Sequence, residues 1–203
     1  MRKQKIELIE YTNKLVNMSD EESVNKELMD SIFRHVDRVV KHKCVPDVTI
    51  TTKEAHDYVD DLIENGDINL LGHGTVYLRM THGNTKAHIY SELPGSITNI
   101  GDDDHIYITC SFADICRCNL IEDATQFITS RTKWHRQRCT MKVTMSYKEL
   151  ISMLTDRIVK HKCAVNILSE MKSQSRLSSR VTVVITGYEY DLMKVKALDK
   201  YQF

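Results

Sequence analysis

Residues 180–190, Arg-Val-Thr-Val-Val-Ile-Thr-Gly-Tyr-Glu-Tyr, constrain this chain more than any other stretch. The run from Val181 to Thr186 is entirely β-branched, which favours extended backbone. An apolar run of this kind predicts a strand that enters the core. A strand needs partners, so the chain must build a sheet. Residues 139–145, Cys-Thr-Met-Lys-Val-Thr-Met, read as one partner, with Met141, Val143 and Met145 on a single face. Val76, Leu78 and Met80 alternate with Tyr77 and Arg79, and residues 104–110 alternate again, so both predict strands. Residues 87–93 and 47–51 read as further short strands, and Pro94-Gly95-Ser96 reads as a turn.

Helical periods share the chain with these strands. Val24, Leu28, Ile32, Val36 and Val40 recur at helical spacing behind a Ser19/Glu22 capping box, which predicts a helix running to about Lys43. Leu8, Ile9, Thr12, Leu15 and Val16 predict an amphipathic helix over 3–17. Ala55, Val59, Leu62 and Ile63 predict another, capped by Thr52 and closed by Gly66. Ser146 with Glu149 opens a helix that turns Leu150, Ile151, Leu154 and Ile158 inward. The segment 111–134 has no clear period and reads as a long irregular loop. The expected class is α+β: a helical N-terminal segment followed by a mostly antiparallel sheet packed with helices. Two domains are expected. Residues 1–95 form a helical half with a winged-helix-like segment, and residues 96–203 form an α+β half carrying the Cys/His cluster.

Composition narrows the setting. The 203 residues carry 28 basic and 28 acidic side chains, so no global charge pulls the protein toward nucleic acid or anionic lipid. No apolar run approaches a membrane span, and the N-terminus lacks the apolar core of a signal peptide. A cytoplasmic protein without a membrane partner is expected. In that setting the six cysteines, Cys44, Cys110, Cys116, Cys118, Cys139 and Cys163, are expected as thiols or metal ligands.

Metal-binding and nucleophilic side chains crowd residues 105–139, where His105, Cys110, Cys116, Cys118, His135 and Cys139 occur. A catalytic metal wants about three protein ligands and an open position. Cys116 or Cys118, His135 and one further group could supply them. The plain structural reading makes the cysteines small buried apolar residues and His135 a surface histidine beside Trp134. Arg136 and Arg138 precede a strand, where arginines can clamp phosphates. Asp102-Asp103-Asp104-His105 could offer oxygens to a hard cation, or form a solvated turn. Residues 37–44, Asp-Arg-Val-Val-Lys-His-Lys-Cys, nearly repeat at 156–163. This reads either as a duplicated half-domain or as two similar helix ends. Residues 51–80 follow a winged helix-turn-helix pattern: a helix, then two short strands joined at Gly72-His73-Gly74. That helix carries Glu54, Asp57, Asp60, Asp61 and Glu64 against one lysine, which repels phosphates.

Taken together, residues 106–145 resemble the metal-binding stretch of type IB GTP cyclohydrolases, which have the tunnelling fold. In that family a strand leads to Cys-Pro-Cys, then a loop, then His-Asn-Gln-Arg-Ser and another strand. Here Cys116-Arg117-Cys118 and His135-Arg136-Gln137-Arg138-Cys139 stand at those positions. Arg117 replaces the proline, the intervening loop is longer, and the closing histidine has no counterpart within 192–197. Glu170 is the nearest match to the later glutamate ligand. The resemblance implies a zinc or manganese ion on Cys116, Cys118 and His135, with Arg136 and Arg138 binding substrate. It implies a divergent, GTP cyclohydrolase-like hydrolase, or a relative that binds a purine nucleotide or pterin, assembled as a homo-oligomer.

Two other functions fit the residues. One is a non-enzymatic regulatory protein that binds nucleic acid or a protein partner through its helical and winged N-terminal half, with basic segments 131–138 and 172–180 on phosphates. The other is an interaction module built on a small zinc knot at 110–139.

Overall fold

The computed structural model describes residues 6–9, 21–45, 47–155, 163–172, 175, 177 and 179–192. In chain order its elements are β1 (Ile6–Ile9), α1 (Glu21–Val40), α2 (Thr52–Glu64), a 3-10 helix (Ile68–His73), β2 (Thr75–Thr81), α3 (Thr85–Ser91), β3 (Ile97–Ile100), β4 (His105–Ser111), α4 (Phe112–Arg117), α5 (Ile121–Thr125), β5 (Arg138–Ser146), α6 (Tyr147–Thr155), β6 (Ala164–Met171) and β7 (Arg180–Tyr188). The class is α+β, and every strand pairing is antiparallel. No helix among the described residues is long and apolar enough to cross a membrane.

The chain divides into two compact units, one of residues 1–10 with 138–203 and the other of residues 11–137. The first holds a four-stranded sheet in the order β1-β5-β7-β6. β7 is an inner strand, as its apolar run requires. The register sets Met141 opposite Ile185, Val143 opposite Val183 and Met145 opposite Val181. These six side chains share one face and close over Leu150 and Met153 of α6. On the other face Thr140 bonds Thr186 at 2.8 Å and Thr144 bonds Thr182 at 3.0 Å, tying β5 to β7 through hydroxyls. The capping box that opens α6 is formed: Ser146 N–H donates to Glu149 at 2.6 Å, and Glu149 N–H donates to Ser146 Oγ at 3.2 Å.

The second unit packs α1 and α2 against the core face of a three-stranded sheet, β2-β4-β3. Leu28, Ile32 and Val36 of α1, Val59 and Leu62 of α2, and Val76, Leu78, Ile108 and Cys110 of the sheet fill this core. Phe127–Thr129 runs beside the free edge of β2, with Arg79 N–H donating to Phe127 O and Thr129 N–H to Tyr77 O, both at 2.9 Å.

Several local expectations are corrected. Residues 6–9 form a strand rather than the start of a helix, because β5 offers them a full register from Ile6–Val143 to Ile9–Thr140. The rest of that expected helix lies outside the described residues, as do Ser19 and all of the second repeat copy except Cys163. Residues 48–50 form no strand, and the cap of α2 is Thr51, whose hydroxyl accepts from Glu54 N–H while Glu54 accepts from Thr51 N–H. Residues 87–91 belong to the helix α3, and 92–93 turn out of it, so no strand forms over 87–93. Asn84 caps α3 by accepting from Lys86 N–H, and Ala87 and Tyr90 bury at a three-residue spacing. The stretch 111–134 contains α4 and α5, opened at Ser111, whose hydroxyl accepts from Asp114 N–H. Residues 68–73 wind into a 3-10 helix, so the two-stranded wing expected around Gly72 is absent there. The chain also does not part near residue 95. β2, before that point, pairs along its whole length with β4, after it.

Candidate functional site around His135

Strand alternation decides what faces what in the unit of residues 11–137. Leu78 and Ile108 point into the core, so Tyr77, Arg79 and Tyr107 project from the opposite face. Tyr107 lies opposite Arg79 on β2 and opposite Asn99 on β3. The segment Arg131-Thr132-Lys133-Trp134-His135-Arg136 crosses this outer face. The His135 ring sits edge-on to both Tyr77 and Tyr107, with ring centroids 5.1 Å away in each case. Trp134 stacks over Tyr107 at 6.4 Å, and its carbonyl accepts from Asn99 Nδ2 at 2.7 Å. A Cβ at Gly101 would fall 2.5 Å from Cε2 of Tyr107, so glycine is what lets the turn lie against that ring.

His135 is buried, and both ring nitrogens are used. Thr132 N–H donates to Nδ1 at 3.0 Å, so Nδ1 carries no proton. The proton is then on Nε2, which lies 3.0 Å from Leu78 O and donates to it. Burial pushes the His135 pKa down, Leu78 O opposes that by favouring the protonated form, and Arg131 adds to the depression. Protonating Nδ1 would also turn the Thr132 N–H bond into a clash of two donors. A depressed folded-state pKa means that the unfolded chain takes up a proton before the folded one does. His135 therefore contributes stability that is complete above about pH 6.5, the unfolded value. That contribution is lost as pH falls from there through the folded value. The urea midpoint should drop between pH 7.5 and 5 in the wild type, and by a smaller amount in His135→Gln.

The acidic turn beside this face serves the protein's own groups. Asp103 accepts from the Tyr107 hydroxyl at 2.5 Å and from Arg79 at 3.2 Å. The Tyr107 hydrogen bond holds the Asp103 pKa low and pushes that of Tyr107 up. Asp102 faces Lys133 at 3.6 Å. These carboxylates do not converge on a common point as hard-cation ligands would.

The sequence-derived ligand set is split. Cys116 sits on α4 and packs against the helix-covered core, whereas His135 occupies the outer face of the sheet that bounds that core. Cys118, the C-cap of α4, is exposed. Two residues apart on a helix, the cysteines do not face one another. Burial pushes the Cys116 thiol up to about 12. Iodoacetamide at pH 8 should therefore alkylate Cys118 well before Cys116 in a mass-spectrometric time course. Arg117, at the proline position of the resembled motif, braces α4 against the 3-10 helix by donating to Asp114 at 2.7 Å and to Asn69 at 2.6 Å. Among the described residues no group of three or more His, Cys, Asp or Glu side chains could hold a metal ion. Arg136 is exposed. Arg138 is buried in the other unit, its guanidinium carbon 5.7 Å from the Tyr188 ring centroid.

Sequence reasoning missed Tyr77, Asn99 and Tyr107, the side chains that hold 131–136 in place. The only signal was their shared parity on alternating strands. It also missed Asp37, which is fully buried on α1. Its carboxylate has no hydrogen-bond partner among the described residues, and His42 Nε2 lies 3.5 Å away. Burial pushes the Asp37 pKa up. Compared with known proteins, the chain matches no family model and no curated protein.

Proposed function

We propose that this chain is a non-enzymatic regulatory protein that binds single-stranded nucleic acid across the outer face of β2, β3 and β4. One observation carries the reading. Arg131, Lys133 and Arg136 are exposed around a half-buried Trp134, on backbone pinned from beneath by His135. Single-strand binding combines cations for the phosphates with an aromatic face on which bases stack. Lys133 Nζ lies 4.7 Å from the Trp134 ring centroid and marks the exposed side of that ring. A base stacking there displaces the lysine toward a phosphate. Asp102 beside Lys133 competes for it and keeps the affinity modest. The acidic helix α2 takes no part.

Fluorescence anisotropy of a labelled oligodeoxynucleotide, over a salt series, tests this. The logarithm of affinity should fall with the logarithm of salt by about 0.7 per phosphate contacted. The triple variant R131A/K133A/R136A should flatten that slope by about two units. Trp134 is the only tryptophan in the chain, so its intrinsic emission should be quenched on binding. Binding indifferent to salt, or unchanged in the triple variant, ends this reading.

The zinc- or manganese-dependent purine-nucleotide reading requires Cys116 and His135 to meet from opposite faces of one sheet. Elemental analysis of the purified protein tests it, and a stoichiometric metal lost in both Cys116→Ala and His135→Ala would revive it.

A further inference from the structure

In the unit of residues 1–10 with 138–203, a glycine separates two thiols. Cys139 on β5 lies directly opposite Gly187 on β7. On the other side of β7 the register runs Ala164 opposite Thr186, which brings Cys163 alongside Gly187. The Cys163 sulfur leans over that glycine: a Cβ placed on Gly187 would lie 2.5 Å from Cys163 Sγ. Paired residues in a sheet project to the same face, so Cys139 and Cys163 flank one gap. Both pack against the apolar core of this unit beside Leu192, both are partly exposed, and neither is in a disulfide.

Separation chooses between the two things such a pair could do. Two strand spacings of about 4.8 Å put the Cα atoms about 9–10 Å apart. A disulfide requires them within about 7 Å, so the thiols do not bond to one another. Replacing an S–S bond of about 2.05 Å with two metal–sulfur bonds of about 2.3 Å in line adds about 2.5 Å of reach. That increment is the shortfall. Soft thiolates select soft ions, and Cu(I) accepts two sulfur ligands in line.

We propose that Cys139 and Cys163, on the two strands that flank Gly187, form a two-coordinate thiolate site for a soft monovalent metal ion such as Cu(I). Loading forms two metal–sulfur bonds and releases two protons to the buffer. No electron changes hands. This site is independent of His135 and of the nucleic-acid face, so either reading can fail without the other.

The test titrates the full chain with Cu(I) alone, without oxygen, against a chromophoric Cu(I) chelator. One equivalent should resist the chelator. Cys139→Ser and Cys163→Ser should each weaken it at least about 100-fold. The Cys116→Ser/Cys118→Ser double variant should retain it. Gly187→Ala is the decisive variant, because the backbone there is not in the left-handed region and alanine suits a strand. Its methyl would push the Cys163 sulfur out of line, so the variant should fold, as read by circular dichroism, and lose the tight equivalent. A wild type without a tight equivalent overturns the proposal. So does a tight equivalent that survives in Gly187→Ala or in either cysteine variant. A Cys139–Cys163 disulfide in the oxidised protein overturns it too, since it would place the Cα atoms closer than the sheet does.

Discussion

Replacing His135 with alanine is expected to lower the unfolding free energy by about 2–4 kcal/mol, judged from the loss of buried hydrogen-bond partners plus a cavity. The imidazole accepts from Thr132 N–H and donates to Leu78 O, and its ring fills the space between Tyr77 and Tyr107. Alanine does none of this. The backbone of 131–136 is then released from the sheet, and the three cations it carries lose their common placement. Oligonucleotide affinity should fall to that of the triple cation variant although no cation has been removed. His135→Gln keeps an N–H for Leu78 O, but its amide oxygen does not sit at the ring position that accepts from Thr132 N–H, so it should lie between the wild type and His135→Ala. Urea denaturation and anisotropy on the same preparations measure both effects. Unchanged stability in His135→Ala would show that the ring does not anchor this segment.

Phe112→Ala is expected to cost about 3–5 kcal/mol, the range for deleting a buried aromatic ring. Phe112 has no exposed surface, its ring centroid is 5.3 Å from that of Phe33 on α1, and its N–H donates to Gly74 O at 3.0 Å. It stands where β4 hands over to α4. The cavity would open between α1 and the sheet, so amide exchange should accelerate in β2 and β4 together. Phe112→Leu retains much of the packing and should cost less. Thermal unfolding of the two variants gives the comparison, and a Phe112→Ala midpoint equal to that of the wild type would contradict the packing described.

The strands and helices that matched their sequence reading share one property. In β5 and β7 the residues are β-branched or alternate in polarity, and they pair with each other in register. In α1 and α2 the apolar residues keep helical spacing, and α2 and α6 each open on a capping box within the described residues. The inward face expected of α6 is corrected: Leu150 and Met153 are buried, whereas Ile151 and Leu154 are exposed, and Ile158 lies outside the described residues. The misread segments are short. Residues 6–9 and 85–91 are each too brief for periodicity to choose between helix and strand, and neighbours chose for them. β5 supplied a pairing edge to the first. Asn84 capped the second, and Asp123 holds the buried Tyr90 within it through the tyrosine hydroxyl at 2.9 Å.

The candidate site was legible only as a list of reactive residue types. Cysteine and histidine density between 105 and 139 drew attention to Cys116, Cys118 and His135, but density along the chain carries no information about sheet faces. What local pattern settled is the α+β class, the inner position of β7, and the helices whose caps and apolar spacing agree. Each of these depends on residues a few positions apart, whose energies act before any distant segment arrives. Tertiary structure alone decided that Cys116 packs with the core while His135 locks a basic, aromatic segment onto the other side. It also decided that Cys139 and Cys163 flank a glycine, and that the chain parts after residue 137 rather than near 95. Those outcomes follow from strand register, where a shift of one residue exchanges the two faces, and register is set by pairing between segments far apart in the chain.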